Sequence, residues 1–539
     1  MNSLWLIIIS IVIFLIAYTT YGSWLAKSWG IDVKRKVPSH TREDGVDYVP
    51  AKAPVVLGHH FSSIAGAGPI VGPIAAAMFG WLPVVLWIVI GSVFFGGVHD
   101  MGSLFASVRH EGKSIGQVIN STIGRKGKKL FEIFAWLTLI LVVAAFTNIV
   151  AAAFVSTPEA ATSSILFIVL AIVFGIGVYR RGLNLLVGTV IGVILLGVCV
   201  WLGALFPLNL SLNTWMIILL GYIFIASITP VWILLQPRDY LNSFLLYAML
   251  IGGVLGLLLF RPDIQLAAYT GFKVGTNYMF PILFITVACG AISGFHSLVG
   301  SGTTSKQINS EADIKPIGYG SMLIEGILAI LAIITAAYLT GDQLAELTTA
   351  GGALNVFSDG LGTFMSSIGI PFLIAKNFVT LAISAFALTS LDTATRLARF
   401  IFQEFFESDG KTAKNIGFTS ILTNKYLSTL ITVVLGGALA FKGYKLVWPI
   451  FGSANQLLAA LALLALALWL KRSGRKYKMA LYPMLFMFAA TLSALVLLMK
   501  TNLANPILLI FAVVLFILAI VLIFESRAAF RSTEKRDRI

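Results

Sequence analysis

Long apolar stretches dominate this sequence, and most of them have the length of a membrane-spanning helix. Of its 539 residues, 58% are hydrophobic and only 11% are charged. Soluble domains average about 45–50% apolar and about 25% charged residues. A soluble chain of this length cannot bury so much apolar surface. We therefore predict an all-α polytopic membrane protein that resides in the cell membrane, with the lipid bilayer as its solvent.

A window of about 20 mainly apolar residues, the length that crosses a bilayer, identifies about 15 candidate helices. They cover residues 3–26, 58–80, 83–108, 130–156, 163–179, 184–206, 213–236, 241–260, 279–300, 317–340, 370–402, 425–441, 444–470, 479–499 and 505–525. The first is predicted to be retained, because it is too long for the apolar core of a signal peptide and no Lys or Arg precedes it.

The distribution of positive charge predicts the orientation. If the N-terminus is outside and the helices alternate, nearly all of the 38 Lys and Arg residues fall on the inner side. The exceptions are Arg261, Lys273, Lys442, Lys445 and Lys500 on the outer side, and Lys376 within a helix. Cytoplasmic loops carry excess positive charge, so the C-terminus is predicted to lie inside. The net charge of +15 thus reflects orientation, and no basic stripe interleaved with aromatic residues indicates nucleic-acid binding.

The sequence contains few of the features that indicate an enzyme. The longest polar stretch, 27–52, is the size of a linker, and neither a His-Glu-x-x-His motif nor a nucleophile elbow is present. The two cysteines, Cys199 and Cys289, lie inside apolar runs without metal-ligand spacing. We predict no enzymatic activity, no cofactor and no metal site.

Two predicted helices, the second and the seventh, are interrupted by residues that break helices. The second contains three glycines and two prolines between residues 66 and 73, and the seventh carries Thr229-Pro230 within its span. Proline removes a donor and clashes with the preceding turn. Unwound backbone is tolerated at membrane depth only where it is buried in protein or lines a wet cavity.

The spacing of these two interruptions predicts the architecture. Helices two and seven cross in opposite directions, so helices 2–6 and 7–11 are predicted to be inverted repeats of a five-plus-five, LeuT-like core. The predicted divisions are 1–52 (first helix and loop), 53–206 and 207–410 (the repeats) and 411–539 (peripheral helices and tail). Substrate would bind between the two breaks. The predicted binding residues are Ser62, Ser63, Gly66, Ala67, Gly68, Pro69, Ser227, Thr229, Pro230 and Trp232.

Ionisable residues within the apolar runs are candidates for proton coupling, because such groups are costly there and usually functional. A carboxylate or imidazole in that setting can take up and release a proton during transport. The predicted coupling or gating residues are His59, His60, Asp100, His296, Glu325 and Asp392. Each has a structural alternative: Asp392 is expected to pair with Arg396 four residues on, and Arg238-Asp239 to be a pair at the membrane edge.

A cluster of hydroxyl residues offers a second ion site. Ser301, Thr303 and Thr304 can ligate Na⁺ together with freed carbonyls, or they can serve as contacts between closely packed helices. Because several titratable groups are available, protons are favoured over sodium as the coupling ion.

Five long motifs resemble the carbon starvation protein A (CstA) family. They are GHHFSSIAGAGPIVGP (58–73), PVWILLQPRDYL (230–241), ACGAISGFHSLVGSGTTSK (288–306), LTSLDTATR (388–396) and WPIFGSANQLLA (448–459). They fall in order and cover most of residues 1–470. The resemblance implies a bacterial inner-membrane transporter related to the amino acid–polyamine–cation superfamily. Members are associated with peptide uptake, and some with pyruvate uptake by proton symport, under carbon limitation.

Taken together, the sequence predicts a proton-coupled secondary transporter that imports short peptides or pyruvate during carbon starvation. Two alternatives are a Na⁺-coupled symporter of a small carboxylate or amino acid, and a nutrient sensor that does not transport. This chain lacks the long insertion that larger family members carry between the tenth and eleventh predicted helices, which leaves the choice of substrate open.

Overall fold

The computed structural model of the chain describes residues 2–406, 418–501, 503 and 505–531, and most of them are helical. Within these residues, eleven helices are long and apolar enough to cross a membrane, and two half-helices bent by 42° form a twelfth span if counted together. Leu212–Ile228 and Lys425–Ala440 are shorter apolar helices. The all-α prediction is confirmed. The predicted tail beyond Arg531 lies outside the described residues.

The main helices follow one another in chain order. They are α1 (Leu4–Trp29), α2 (Ala53–Ile64), α3 (Gly68–Phe79), α4 (Trp81–Arg109), α5 (Ile115–Thr122), α6 (Arg125–Ser156), α7 (Pro158–Arg180), α8 (Leu185–Leu205), α9 (Leu212–Ile228), α10 (Leu235–Phe260), α11 (Met279–Thr286), α12 (Gly294–Gly302), α13 (Glu311–Ala337), α14 (Gly341–Ser366), α15 (Phe372–Phe406), α16 (Lys425–Ala440), α17 (Tyr444–Arg472), α18 (Lys478–Thr501) and α19 (Pro506–Arg531). A small hairpin, β1 (Lys273–Val274) and β2 (Asn277–Tyr278), precedes α11.

Local sequence explains where several helices begin. The side chains of Asn184, Ser211 and Asn424 accept hydrogen bonds from the first turns of α8, α9 and α16. Thr340 and Gln343 form a reciprocal capping box at the start of α14. Such caps satisfy backbone N–H groups that have no partner within the helix. They allow these helices to begin directly after short connections.

Among the described residues, unwound segments separate two pairs of half-helices, and only the first pair is where the sequence placed a break. The pair α2/α3 is interrupted at residues 65–67, and α11/α12 is interrupted at residues 287–293. The predicted break near Pro230 is wrong, because α9 ends at Ile228 and α10 begins at Leu235. Pro230 therefore lies in a connection between two complete helices. Pro237 lies in the first turn of α10, where a missing N–H costs little.

The halves of the broken helices pack against different neighbours. Half-helix α2 lies along α10 and α3 lies against α13, whereas α12 lies against both α4 and α17. The long helices α6 and α15 run together through the centre. Burial distinguishes core helices from peripheral ones. In the most apolar part of each helix, 89% of the residues of α6 are buried but only 17% of those of α8.

Connections meet at two faces of the helix bundle. On the first, which we call the basic face, Val49 N donates to Lys306 O (3.2 Å) and Tyr48 Oη donates to Glu111 O (3.1 Å). On the opposite face, Ser3 N donates to Pro262 O (3.0 Å) and Gln265 N donates to Ala337 O (2.8 Å). The loops after α1, α4 and α12 thus share the basic face, and the N-terminus lies on the opposite one.

Candidate functional site

The first break brings small residues against the core of the bundle. A Cβ atom at Gly66 would lie 2.7 Å from Phe146 of α6 and 2.8 Å from Ser390 Oγ of α15, and one at Gly68 would lie 2.4 Å from Cys289 Sγ in the second break. Only glycine permits these approaches. The two breaks therefore touch each other in the middle of the protein, beside α6 and α15.

The predicted residues around the first break are all buried and engaged with other helices. Ser62 Oγ donates to Asp239 O (2.9 Å) on α10. Ser63 O accepts from Ser390 Oγ (2.9 Å), and Ser63 Oγ lies 3.2 Å from Thr393 Oγ1 on α15. Ala67 and Pro69 are buried beside them. These bonds join α2 to α10 and α15.

The second break is held open by polar side chains of two other helices. Asn455 Oδ1 of α17 accepts from Phe295 N (2.8 Å) in the first turn of α12, and Gln456 Nε2 donates to Phe284 O (2.9 Å) of α11. Trp87 Nε1 of α4 donates to Val287 O (3.1 Å). Half-helix ends buried without partners would be costly. The unwound segment is consequently a stable feature of the fold.

Gly294, at the start of α12, gives a direct test of this packing. A Cβ atom there would lie 2.3 Å from Asn455 O and 2.5 Å from Ala459 N, both backbone atoms of α17. Because backbone cannot move aside easily, we expect Gly294→Ala to destabilise the protein by about 1–3 kcal/mol. Thermal unfolding of the purified protein in detergent measures this effect. Gly221→Ala is the control, since nothing lies within 4 Å of that site; equal melting temperatures for the two variants would contradict the packing.

Three predicted coupling residues form one buried cluster. Asp100 Oδ2 of α4 lies 2.9 Å from His296 Nδ1 of α12, and His296 Nε2 lies 3.5 Å from Glu325 Oε2 of α13. His99 Nδ1 lies 2.6 Å from Asp100 Oδ1. The side chains are fully buried. Neither Glu325 oxygen has a hydrogen-bond partner within the described part of the chain. An imidazole between two carboxylates is an arrangement that can accept and pass on a proton.

His59 belongs to a second buried network, which links four helices. Its Nδ1 lies 2.7 Å from Asp239 Oδ2 of α10. Arg238 Nη2 donates to Asp239 Oδ1 (2.7 Å), and Arg238 Nη1 pairs with Asp392 of α15. Tyr222 Oη also donates to Asp392 (2.7 Å). We call His59, Arg238, Asp239, Asp392 and Tyr222 the arginine network.

One predicted local pairing is wrong, and one predicted pair lies in a different place from the one expected. Asp392 pairs with Arg238 instead of Arg396, and Arg396 Nη1 pairs with Asp47 (2.9 Å) in the loop after α1. Arg238-Asp239 is not an edge pair, because both side chains are almost completely buried. Asp392 and Arg396 thus pair with residues distant in sequence, whereas Arg238 and Asp239 do pair with each other, inside the protein.

The hydroxyl cluster at the end of α12 takes part in helix contacts. Thr304 Oγ1 lies 2.8 Å from His60 Nδ1 of α2, and Thr303 Oγ1 donates to Val299 O (3.0 Å) within α12. Ser301 O accepts from Ser107 Oγ (3.0 Å) of α4. The predicted gating residue His60 and the predicted ion site are therefore neighbours.

The predicted binding residues near Pro230 lie elsewhere, at the basic face. Trp232 Nε1 donates to Gly45 O (3.1 Å), and Val231 N donates to Val46 O (3.0 Å). The carbonyl of Thr229 accepts from Arg396, and Ser227 is buried nearby in the last turn of α9. Val231 and Trp232 contact the loop after α1, and Thr229 contacts α15. The first break instead contacts Cys289 in the segment 287–293. The partner of the first break is thus the second break at 287–293.

Asp47 holds the loop after α1 against the basic face through ion pairs. Burial alone would raise the pKa of its carboxyl, but nearby Arg396, Arg399 and Lys306 hold the pKa below its ordinary value. A carboxyl whose pKa is lowered on folding stabilises the protein above its unfolded pKa, and the contribution is lost as pH falls through the folded value. The ion pairs of Asp47 therefore stabilise the attachment of the loop most at neutral pH, and this stabilisation is lost in acid.

Asp47→Asn tests the fastening. We expect the amides of residues 46–51 to exchange with deuterium faster, because Ala51 N to Gln307 O (2.9 Å) and neighbouring loop bonds open more often without the ion pair. Hydrogen–deuterium exchange with mass spectrometry reports it. Glu43→Gln removes an exposed carboxylate of the same loop and should leave exchange unchanged. Equal exchange in both variants would show that Asp47 does not fasten the loop.

Three side chains in the site have the chemistry of metal ligands. The donor atoms of Cys289, His296 and Glu325 all lie within 4.8 Å of one another, and all three residues are buried. Thiolate, imidazole and carboxylate are ligands that Zn²⁺ takes in proteins. Cys289 Sγ also donates to Ser293 Oγ (3.5 Å). The sequence did not predict this grouping, because the three residues come from two different helices and the break.

Sequence comparison finds a matching protein family and several named relatives. The family model described as carbon starvation protein CstA matches residues 2–351 and 342–494. The peptide transporter CstA of Escherichia coli (strain K12) is 32% identical over 92% of this chain and 80% of its own length, and that of Bacillus subtilis (strain 168) is 34% identical over 86% and 84%. The pyruvate/proton symporter BtsT of Escherichia coli (strain K12) is 32% identical over 86% and 76%.

A solved structure shares the fold. The crystal structure of the Eremococcus coleocola manganese transporter in complex with an aromatic bis-isothiourea substituted compound aligns with a TM-score of 0.54, covering 90% of this chain and 99% of that one at 11% identity. At that identity the likeness concerns the fold alone. The protein is a multi-pass membrane protein, and the chain belongs to the carbon starvation protein CstA family.

Proposed function

We propose that this protein is a proton-coupled secondary transporter that imports short peptides or pyruvate across the cell membrane under carbon limitation. The observation that carries the proposal is the buried cluster of Asp100, His296 and Glu325. It joins α4, α12 and α13, and through α12 it is continuous with the second break. Relatives named as peptide transporters and as a pyruvate/proton symporter support the substrate classes.

The coupling follows from the position of the cluster. His296 lies in the first turn of α12, three residues after Ser293 ends the break. A substrate that reorients the break moves His296 relative to Glu325, so that protonation and substrate binding influence each other. One charge moving down the membrane potential supplies about 2.3 kcal/mol per 100 mV, which supports uptake against a gradient.

We also propose the membrane arrangement. The basic face is the cytoplasmic one, because the loops that meet there carry most of the positive charge. The two short helices and α11/α12 then span the membrane with the others, which makes 15 spans with the N-terminus outside and the C-terminus inside. The inverted repeats begin at the two broken helices. The first, α2/α3, keeps the predicted boundary at 53, and the second, α11/α12, begins at Met279 in place of the predicted boundary at 207. The close approach of the two breaks, at Gly68 and Cys289, supports this assignment.

The arginine network and the loop after α1 form the cytoplasmic gate in this proposal. His59 is on α2, and its bond to Asp239 closes the half-helix against α10. Asp47 and Arg396 close the loop over the connection between α9 and α10. Opening toward the cytoplasm requires α2 to leave α10, as expected of alternating access around broken helices.

Purified protein in proteoliposomes with an internal pH-sensitive dye tests the function. With an interior-negative potential and no sodium, pyruvate, alanylalanine and trialanine are added separately. Acidification with one class identifies both the substrate and the ion. Uptake of radiolabel that requires Na⁺ and moves no protons would refute proton coupling and favour the hydroxyl cluster Ser301–Thr304 as the ion site. Binding without any flux would favour the nutrient sensor.

A further inference from the structure

A cavity of about 710 Å³ lies above the two breaks, toward the face opposite the basic one. We call it the vestibule. Its wall is formed by α3, α6, α14 and α15 and includes Val71, Asn148 and Ile383. Val71 is one turn from Gly68, and Asn148 is two residues from Phe146, so the lower end of the vestibule is next to the first break. Its size is within the range of small-molecule sites, about 300–1,000 Å³.

One charged residue lines the vestibule among the residues that the structure describes. It is Lys376, near the start of α15, with the amides of Asn148, Asn355 and Asn377 on the same wall. Lys376 Nζ pairs with Asp359 Oδ2 of α14 at 2.9 Å. The two side chains are 27% and 21% exposed. An ammonium has three donors, so this partly exposed group can bind another oxygen while keeping Asp359.

The geometry points to Lys376 as the carboxylate-recognising group of a binding site in the vestibule. We propose that a substrate carboxylate binds the Lys376 ammonium there before it moves to the breaks, with Asp359 positioning the lysine and competing with the substrate for it. This proposal rests on the proposed function, since the ligand is the carboxylate common to peptides and pyruvate. An uncharged analogue of the same shape has no such partner.

Two variants with opposite expected signs separate recognition from a merely structural ion pair. Lys376→Gln removes the cation, and we expect it to weaken pyruvate binding about 10- to 100-fold, the loss of a hydrogen bond to a charged group. Asp359→Asn removes the competing anion and is expected to tighten pyruvate binding by about 2- to 5-fold, the scale of a partly exposed pair. Lys376→Arg keeps the cation and should bind pyruvate with nearly the parental affinity.

Isothermal titration calorimetry of the full chain in detergent measures these effects, with pyruvate and its neutral amide, pyruvamide, as probes. Lys442→Gln is the control, because Lys442 is exposed after α16 and does not line the vestibule. Parallel weakening by Lys376→Gln and Asp359→Asn would overturn the proposal. So would a parent protein that binds pyruvamide as tightly as pyruvate. Lysine-dependent pyruvate binding without proton flux in liposomes would leave this site standing and refute the proposed function.

Discussion

Glu325→Gln is expected to abolish substrate-driven acidification of proteoliposomes, reducing it to the level of protein-free vesicles. Glutamine keeps the shape of the side chain but cannot take up a proton, and Glu325 lies 3.5 Å from His296 at one end of the buried cluster. Exchange of labelled for unlabelled substrate should persist, because exchange does not require the empty carrier to release a proton. Loss of net flux with retained exchange is therefore the expected signature.

Glu346→Gln is the matched control for this variant. It removes the same charge from an exposed position on α14 and should acidify vesicles as the parent does. Asp100→Asn, at the other end of the cluster, should reproduce the loss of flux. If Glu325→Gln vesicles acidify at the parental rate with any substrate, Glu325 is not the proton carrier.

Arg238→Met is expected to cause the largest loss of stability. Arg238 is the cation between Asp239 and Asp392, and all three are buried. Removing one partner of a buried ion pair typically costs about 3–5 kcal/mol, because the remaining charge is left uncompensated. Here two carboxylates lose their arginine while keeping contacts with His59 and Tyr222, so we expect a clear fall in melting temperature and in the yield of folded protein.

A second substitution distinguishes uncompensated charge from lost packing. Asp392→Asn added to Arg238→Met removes one of the stranded charges and should recover part of the melting temperature. Arg181→Met, at an exposed site after α7, provides the control and should melt like the parent. If Arg238→Met and the control have the same melting temperature, the arginine network does not stabilise the described arrangement of α9, α10 and α15.

The sequence identified the chemistry of the site better than its geometry. Asp100, His296 and Glu325 were predictable because each is costly alone in an apolar run. Their proximity in the structure was not predictable, because they lie on three helices and Asp100 is 196 residues from His296 in the sequence. Similarly, Asp392 and Arg396 are ideally spaced for a local pair, yet Arg238 and Asp47 reach them through tertiary packing.

The second break shows why the more obvious helix breaker was misleading. Pro230 ends α9, whereas the true break contains no proline between Val287 and Ser293. It is stabilised from outside by Asn455, Gln456 and Trp87. The available signal was the pair of small residues Gly290 and Gly294, which meet α13 and α17 closely. Contacts of this kind depend on the partner helix and leave little trace in local sequence.

The central claim is that a proton gradient drives uptake through this protein. The most direct measurement is accumulation of radiolabelled pyruvate, and separately of alanylalanine, in sodium-free proteoliposomes with a pH gradient, acid outside, as the only driving force. The account predicts accumulation of one of them above the external concentration, and its collapse when a protonophore is added. Equilibration without accumulation, or accumulation only when a sodium gradient is imposed, would contradict it.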